Sequence, residues 1–102
     1  MLEDIFEIIK TRKKEADESS YTHRLLKEGT DRVAQKVGEE AVEVVIAAKN
    51  DDPRRLISEM ADLWYHCLVL LAEQGLTPKH IYDELEARHN ARNKPDQNRD
   101  SK

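Results

Sequence analysis

The sequence has one cysteine, three glycines, three prolines and only 5% aromatic residues. A lone Cys67 excludes a disulfide framework and an all-cysteine zinc site within one chain. Its neighbours Leu63, Trp64, Leu68 and Leu71 mark it as a small core residue. So little glycine, proline and aromatic content argues against a sandwich or barrel and for helices. Positive charge is not in excess either: the net charge is −4 and the pI is near 5.6. No broad basic field draws in a duplex, so a nucleic-acid polymer is not an expected partner, whereas a small phosphorylated ligand stays open. The longest apolar stretch, around Leu63 to Ala72, is too short to span a bilayer, and no membrane partner is expected. The N-terminal MLEDIFEIIKTRKKEADESS is amphipathic and acidic, without the basic-then-apolar order of a signal peptide. The expected location is a reduced cytoplasm.

What is present is charged and hydrophobic side chains in nearly equal share, 37% and 38%, set at helical spacing. Leu2, Ile5, Phe6 and Ile9 predict a first helix of about four turns. It dissolves in the polar run Lys13 to Glu18. Ser19 or Ser20 caps a short second helix from Tyr21 to Lys27, which Gly29 ends. Thr30 or Asp31 caps a long third helix that reaches about Lys49. Asp52 as N-cap and Pro53 at the first helical position open a fourth helix, which Gly75 stops after Gln74. Thr77 and Pro78 open a fifth helix that reaches about Arg92. The fold class is therefore all-α, a bundle of four to five helices with two long antiparallel neighbours at its centre. Residues 1–93 form one domain. The tail at 94–102 has no apolar residue and is expected to be mobile. No repeat recurs at solenoid spacing.

The third helix carries the segment KVGEEAVEVVIAA, Lys36 to Ala48. At about 100° per residue, Val33, Ala34, Val37, Ala41, Val44, Val45 and Ala48 form a broad apolar face. Val42 and Ile46 form a second one nearly opposite. Between them runs a wedge of Lys36, Glu39, Glu40 and Glu43. On the fourth helix Leu56, Met60, Leu63, Trp64, Cys67 and Leu71 make the main face, flanked by Ala61, Tyr65, Leu68 and Ala72. Its polar seam holds Glu59, Asp62 and His66. A hairpin near Asn50 to Pro53 sets Glu40 and Glu43 opposite Glu59 and Asp62. Four carboxylates that close cannot all stay ionised without a cation. A hard divalent ion with oxygen ligands, Mg²⁺ in particular, compensates them and keeps sites for substrate phosphates. The competing reading is a pair of solvated Glu-x-x-Glu faces matched to lysines.

Glu39-Glu40-x-x-Glu43 followed by Glu59-x-x-Asp62 resembles the metal motif of the MazG-like all-α nucleotide pyrophosphohydrolases. Together with SYTHRLLKEG (Ser20 to Gly29), KVGEEAVEVVIAA, ADLWYHCLVLLAEQGL (Ala61 to Leu76) and ELEARH (Glu84 to His89), the chain resembles the phosphoribosyl-ATP pyrophosphohydrolases of histidine biosynthesis. The resemblance covers about Leu2 to Asn93. It implies hydrolysis of 1-(5-phosphoribosyl)-ATP to the AMP derivative and pyrophosphate, the second step of that pathway. It also implies a free-standing form, a homodimer that completes the bundle, and Glu40, Glu43, Glu59 and Asp62 as metal ligands. Glu39 and Glu40 are the candidate catalytic residues, Glu39 by orienting or deprotonating water. For the substrate's phosphates the candidates are Lys36, Arg32, His66 and His23. Each has a plainer alternative: an ion pair with Glu40 for Lys36, a structural hydrogen bond for His66, a surface helix for His23 and Arg24. Arg88, His89, Arg92 and Lys94 either complement a helix dipole or reach phosphate. Trp64 and Tyr65 either pack in the core or stack on adenine. Two further functions stay open, a MazG-like hydrolase of other nucleoside triphosphates and a non-catalytic helical dimerisation module.

Overall fold

The structure, a computed structural model, describes residues 1–14 and 20–92. The polar connection beyond Lys14, Lys94 and the tail lie outside the described residues. Five helices follow in order: α1 Leu2–Lys14, α2 Tyr21–Glu28, α3 Thr30–Lys49, α4 Pro53–Glu73 and α5 Pro78–Arg92. No strand occurs among the described residues. None of these helices is long and apolar enough to cross a membrane.

Local chemistry sets each boundary. Ser20 Oγ accepts the His23 N–H at 3.1 Å and starts α2. Asp52 accepts the Arg55 N–H at 3.1 Å, with Pro53 following as the first helical residue of α4. At the other end of α4, Gly75 takes φ 74°, and the N–H groups of Gly75 and Leu76 bond the carbonyls of Ala72 and Leu71. This double closure needs a left-handed residue, which glycine supplies without strain. Two caps differ from expectation. Neither Thr30 nor Asp31 caps α3: Gly29, at φ 96°, is the joint between α2 and α3, and no side chain caps the start of α3. A one-residue joint leaves no room for a separate cap, and the Thr30 hydroxyl instead donates to Glu73 Oε2 at 2.7 Å. At α5, Thr77 gives its backbone N–H to His80 Nδ1 at 3.1 Å, the reverse half of a capping box.

α3 and α4 pair along their length, and α1 and α2 close over one end of that hairpin. The core gathers there: Phe6 and Ile9 from α1, Leu25 and Leu26 from α2, Val33 from α3, and Leu68, Val69 and Ala72 from α4. Among the described residues nothing covers the turn end of the hairpin in this way, and the molecule is elongated, 53 × 35 × 25 Å.

Here the helical wheels need correction. On α3 the covered positions are Arg32, Val33, Lys36, Val37, Glu40, Ala41, Glu43, Val44 and Ala47. That side includes most of the acidic wedge, while Ala34, Val45 and Ala48 of the supposed main face are exposed. On α4 the buried residues are His66, Leu68, Val69 and Ala72, and Trp64 and Cys67 are exposed. Cys67 is thus no core residue of this chain. It opens on an apolar groove shared with Trp64, Leu71, Ile81 and Tyr82. Periodicity reports which residues are apolar, not which of two apolar faces the partner helix takes.

Candidate metal centre

Glu40 stands near the middle of α3, while Glu59 and Asp62 lie one turn apart on α4. The hairpin brings one carboxylate oxygen of each within 4.8 Å of the others. Oxygens on a Mg²⁺ ion at about 2.1 Å are separated by at most roughly 4.2 Å, so a small contraction suffices to seat one. The donor set is hard oxygen only, which suits Mg²⁺ or Mn²⁺ rather than zinc. The Glu40 and Glu59 side chains are less than one-fifth exposed, while Asp62 faces open solvent. The three carboxylates therefore form a ledge with a protein floor and an open side, where an ion can keep waters or phosphate oxygens.

Glu43, the fourth expected ligand, is not in this group. Its Oε1 accepts Arg55 Nη2 at 2.9 Å, and Arg55 Nε lies 3.6 Å from Glu59 Oε2. Lys36 supplies the other nearby cation. Its ammonium sits 3.5 Å from Glu39 and 3.6 Å from Glu40, the ion pair weighed as its plainer reading. Burial works against that charge, but Tyr21, Glu39 and Glu40 outweigh it, and the Lys36 pKa lies above the usual lysine range. Glu39 points outward and also accepts Gln35 Nε2 at 2.8 Å; these partners hold its carboxyl below the usual range. Arg32 pairs with Glu28 at 3.4 Å, one turn further from the ledge.

His66 lies beneath the ledge, buried. Its Nδ1 is 2.8 Å from the Asp62 carbonyl, which can only accept, so the proton is on Nδ1. Nε2 then accepts the Tyr21 hydroxyl at 2.9 Å. Both ring nitrogens are engaged within the protein, and α2 is thereby tied to the turn of α4 that carries Asp62. A second tie joins the Thr22 and Tyr65 hydroxyls. His23 is buried as well, with Nδ1 donating to the Arg12 carbonyl at 3.0 Å. The surface helix weighed for this segment is corrected for His23 only: Thr22, His23, Leu25 and Leu26 point inward, while Tyr21, Arg24, Lys27 and Glu28 are exposed. Trp64 is half exposed rather than packed in the core, and Tyr65 is partly buried, edge-on to His66. Arg88 pairs with Glu84 at 2.9 Å on the exposed α5.

Two residues of the site escaped the sequence reading. Arg55 showed half its role as an i, i+4 partner of Glu59, but its reach across to Glu43 depends on the hairpin. Tyr21 left no signal, since its hydrogen bond to His66 spans 45 positions.

A family model described as phosphoribosyl-ATP pyrophosphohydrolase matches residues 2–89. A phosphoribosyl-ATP pyrophosphatase of Methylococcus capsulatus is 49% identical over 85 residues, 83% of this chain and 81% of its own. One from Listeria monocytogenes is 53% identical over 88 residues, 86% of this chain and 84% of its own. A histidine biosynthesis bifunctional protein of Caldanaerobacter subterraneus is 48% identical over 89 residues, 87% of this chain but 43% of that longer protein. The matched span takes in α1 to α4 whole and most of α5, and with it all three converging carboxylates. On that span the chain belongs to the phosphoribosyl-ATP pyrophosphohydrolase family.

Proposed function

We propose that the chain hydrolyses phosphoribosyl-ATP to phosphoribosyl-AMP and pyrophosphate, the second step of histidine biosynthesis, with a divalent metal held on the carboxylate ledge. One observation carries this reading: the family match includes Glu40, Glu59 and Asp62, and those three side chains converge from two helices. Water attacks a phosphorus of the triphosphate in line, the bond to the pyrophosphate oxygen breaks, and the water's proton passes to a base. Such chemistry needs positioning and charge neutralisation more than covalent help. Mg²⁺, when bound, neutralises phosphate charge and lowers the pKa of water.

The chain's own residues divide the remaining work. Glu40, Glu59 and Asp62 would hold the ion, and Glu43, paired here with Arg55, would be a further oxygen donor beside them. Glu39, solvent-facing and ionised, orients the attacking water or takes its proton. Lys36, cationic at neutral pH, steadies Glu39 and Glu40 and faces incoming phosphate, with Arg32 one turn behind. His66 and His23 position rather than bind: their ring nitrogens hold the Asp62 turn and the end of α1. We further propose a homodimer that covers Val42, Val45, Ile46, Ile57 and Trp64, all exposed in the single chain, and a cytoplasmic site of action, where such a nucleotide is made.

The test is pyrophosphate release with Mg²⁺ from phosphoribosyl-ATP and from a panel of ordinary and damaged nucleoside triphosphates. Cleavage of phosphoribosyl-ATP in preference to the panel is expected. Cleavage of the panel alone would transfer the site to a MazG-like hydrolase of other triphosphates, and no cleavage at all would favour a dimerisation module.

A further inference from the structure

The acidic ledge already has a cation at its edge, supplied by the chain. Arg55 Nη2 donates to Glu43 Oε1 at 2.9 Å, and Nε lies 3.6 Å from Glu59 Oε2. Glu59 is one of the three converging carboxylates, and Glu43 is the acid that stays apart from them. A carboxylate oxygen committed to a guanidinium is not fully available to an ion, so arginine and metal compete for the same two acids. The root of Arg55 is fixed, because its backbone N–H caps α4 on Asp52 at 3.1 Å. Its side chain is about half exposed and has solvent to swing into.

We propose that Arg55 is an exchangeable counter-cation. It holds Glu43 and Glu59 while no divalent ion is bound, yields them to the ion, and then binds a phosphate oxygen of the nucleotide. This rests on the metal-dependent hydrolysis proposed above. A guanidinium never loses its charge near neutral pH, and its planar fork matches carboxylate and phosphate alike. Lys36 does not duplicate this role. Its ammonium is a point charge, more covered, and paired with Glu39 and Glu40 instead.

The plainer role for Arg55 is a staple joining α3 to α4 near their turn, and the two roles give opposite results. Mn²⁺ affinity of the full chain is measured by electron paramagnetic resonance without substrate, alongside steady-state kinetics with phosphoribosyl-ATP. In R55Q, Mn²⁺ binds about three- to fivefold tighter, the scale of a half-exposed ion pair removed from competition, and KM rises about tenfold. R55K keeps the charge, so its Mn²⁺ affinity stays near that of the unchanged protein, but its KM stays high because the fork is gone. Unchanged or weaker Mn²⁺ binding in R55Q overturns the exchange and leaves a staple. Should R55Q fail to fold, the R55K KM decides, and an unchanged value overturns the proposal. If the unchanged protein itself neither binds Mn²⁺ nor cleaves the substrate, the metal-hydrolase reading fails first, and this proposal with it.

Discussion

Glu40 and Asp62 define the chemistry at the scale of single residues, because each comes from a different helix to one focus. Their charges repel, and the fold tolerates them through Lys36 beside Glu40, Arg55 beside the neighbouring Glu59 and, in the proposed holoenzyme, a divalent ion. Glu40→Gln and Asp62→Asn keep size and shape while removing one ligand charge. Without metal, both variants are expected to melt at or slightly above the temperature of the unchanged chain, since repulsion is relieved. With Mg²⁺ at a hundredfold excess over Kd, the unchanged chain gains about 2.7 kcal/mol, roughly 10–20 °C in melting for a domain of this size. Both variants lose that gain, and pyrophosphate release falls by about 100-fold or more. Scanning calorimetry with and without Mg²⁺ checks the first expectation and the pyrophosphate assay the second. A Mg²⁺-dependent rise that survives both substitutions would place the ion elsewhere.

The helices were readable where a boundary depends on local chemistry. Ser20, Asp52, Pro53 and Gly75 each act on neighbours within a few positions, and each sits where its side chain or backbone type demands. The Gly29 joint was hidden because Thr30 is an equally good cap in isolation, and only its tertiary bond to Glu73 diverts it. In the same way, Glu40, Glu59 and Asp62 were readable from spacing within a helix, but the hold of Arg55 on Glu43 crosses between helices. The Thr30–Glu73 contact gives this scale its own prediction, because it ties the start of α3 to the end of α4. Thr30 and then Gln74 donate to the Glu73 carboxylate and hold its pKa below the usual range. A carboxyl depressed in the folded state adds stability above its unfolded pKa and loses it as pH falls through the folded value. Thr30→Val removes the larger donor. The Glu73 pKa should then rise toward an ordinary glutamate, and acid unfolding should begin at a higher pH, as read by NMR titration of the carboxyl and by circular dichroism. An unmoved Glu73 titration would show that the hydroxyl is not what holds it.

The whole molecule leaves an apolar surface that its own elements do not explain. Ile57 is 70% exposed, Val42 57% and Trp64 54%, and α5 presents Ile81 and Leu85 to solvent as well. Each such side chain gains about 1.5–3 kcal/mol when fully buried, and a chain of this size has little other core to spare. On α4 the exposed Ile57 and Trp64 lie on the side away from Glu59 and Asp62, while on α3 Val42, Val45 and Ile46 flank the acidic wedge, so a second copy can cover them beside the open ledge. This also explains why the wheels misplaced the buried face: each long helix has two apolar faces, and the single chain occupies one. The expected particle has twice the 11.8 kDa of the chain by light scattering. Trp64 reports the same event, since an indole moved from water into an apolar interface emits at shorter wavelength. Dilution should therefore shift its emission to the red along a concentration-dependent curve. Ile57→Asp, which sets a charge in the middle of the stripe without touching a carboxylate of the ledge, should move that curve to higher concentration. Emission of a solvent-exposed indole at every concentration, with a mass of one chain, would mean that the stripes stay bare and the homodimer does not form.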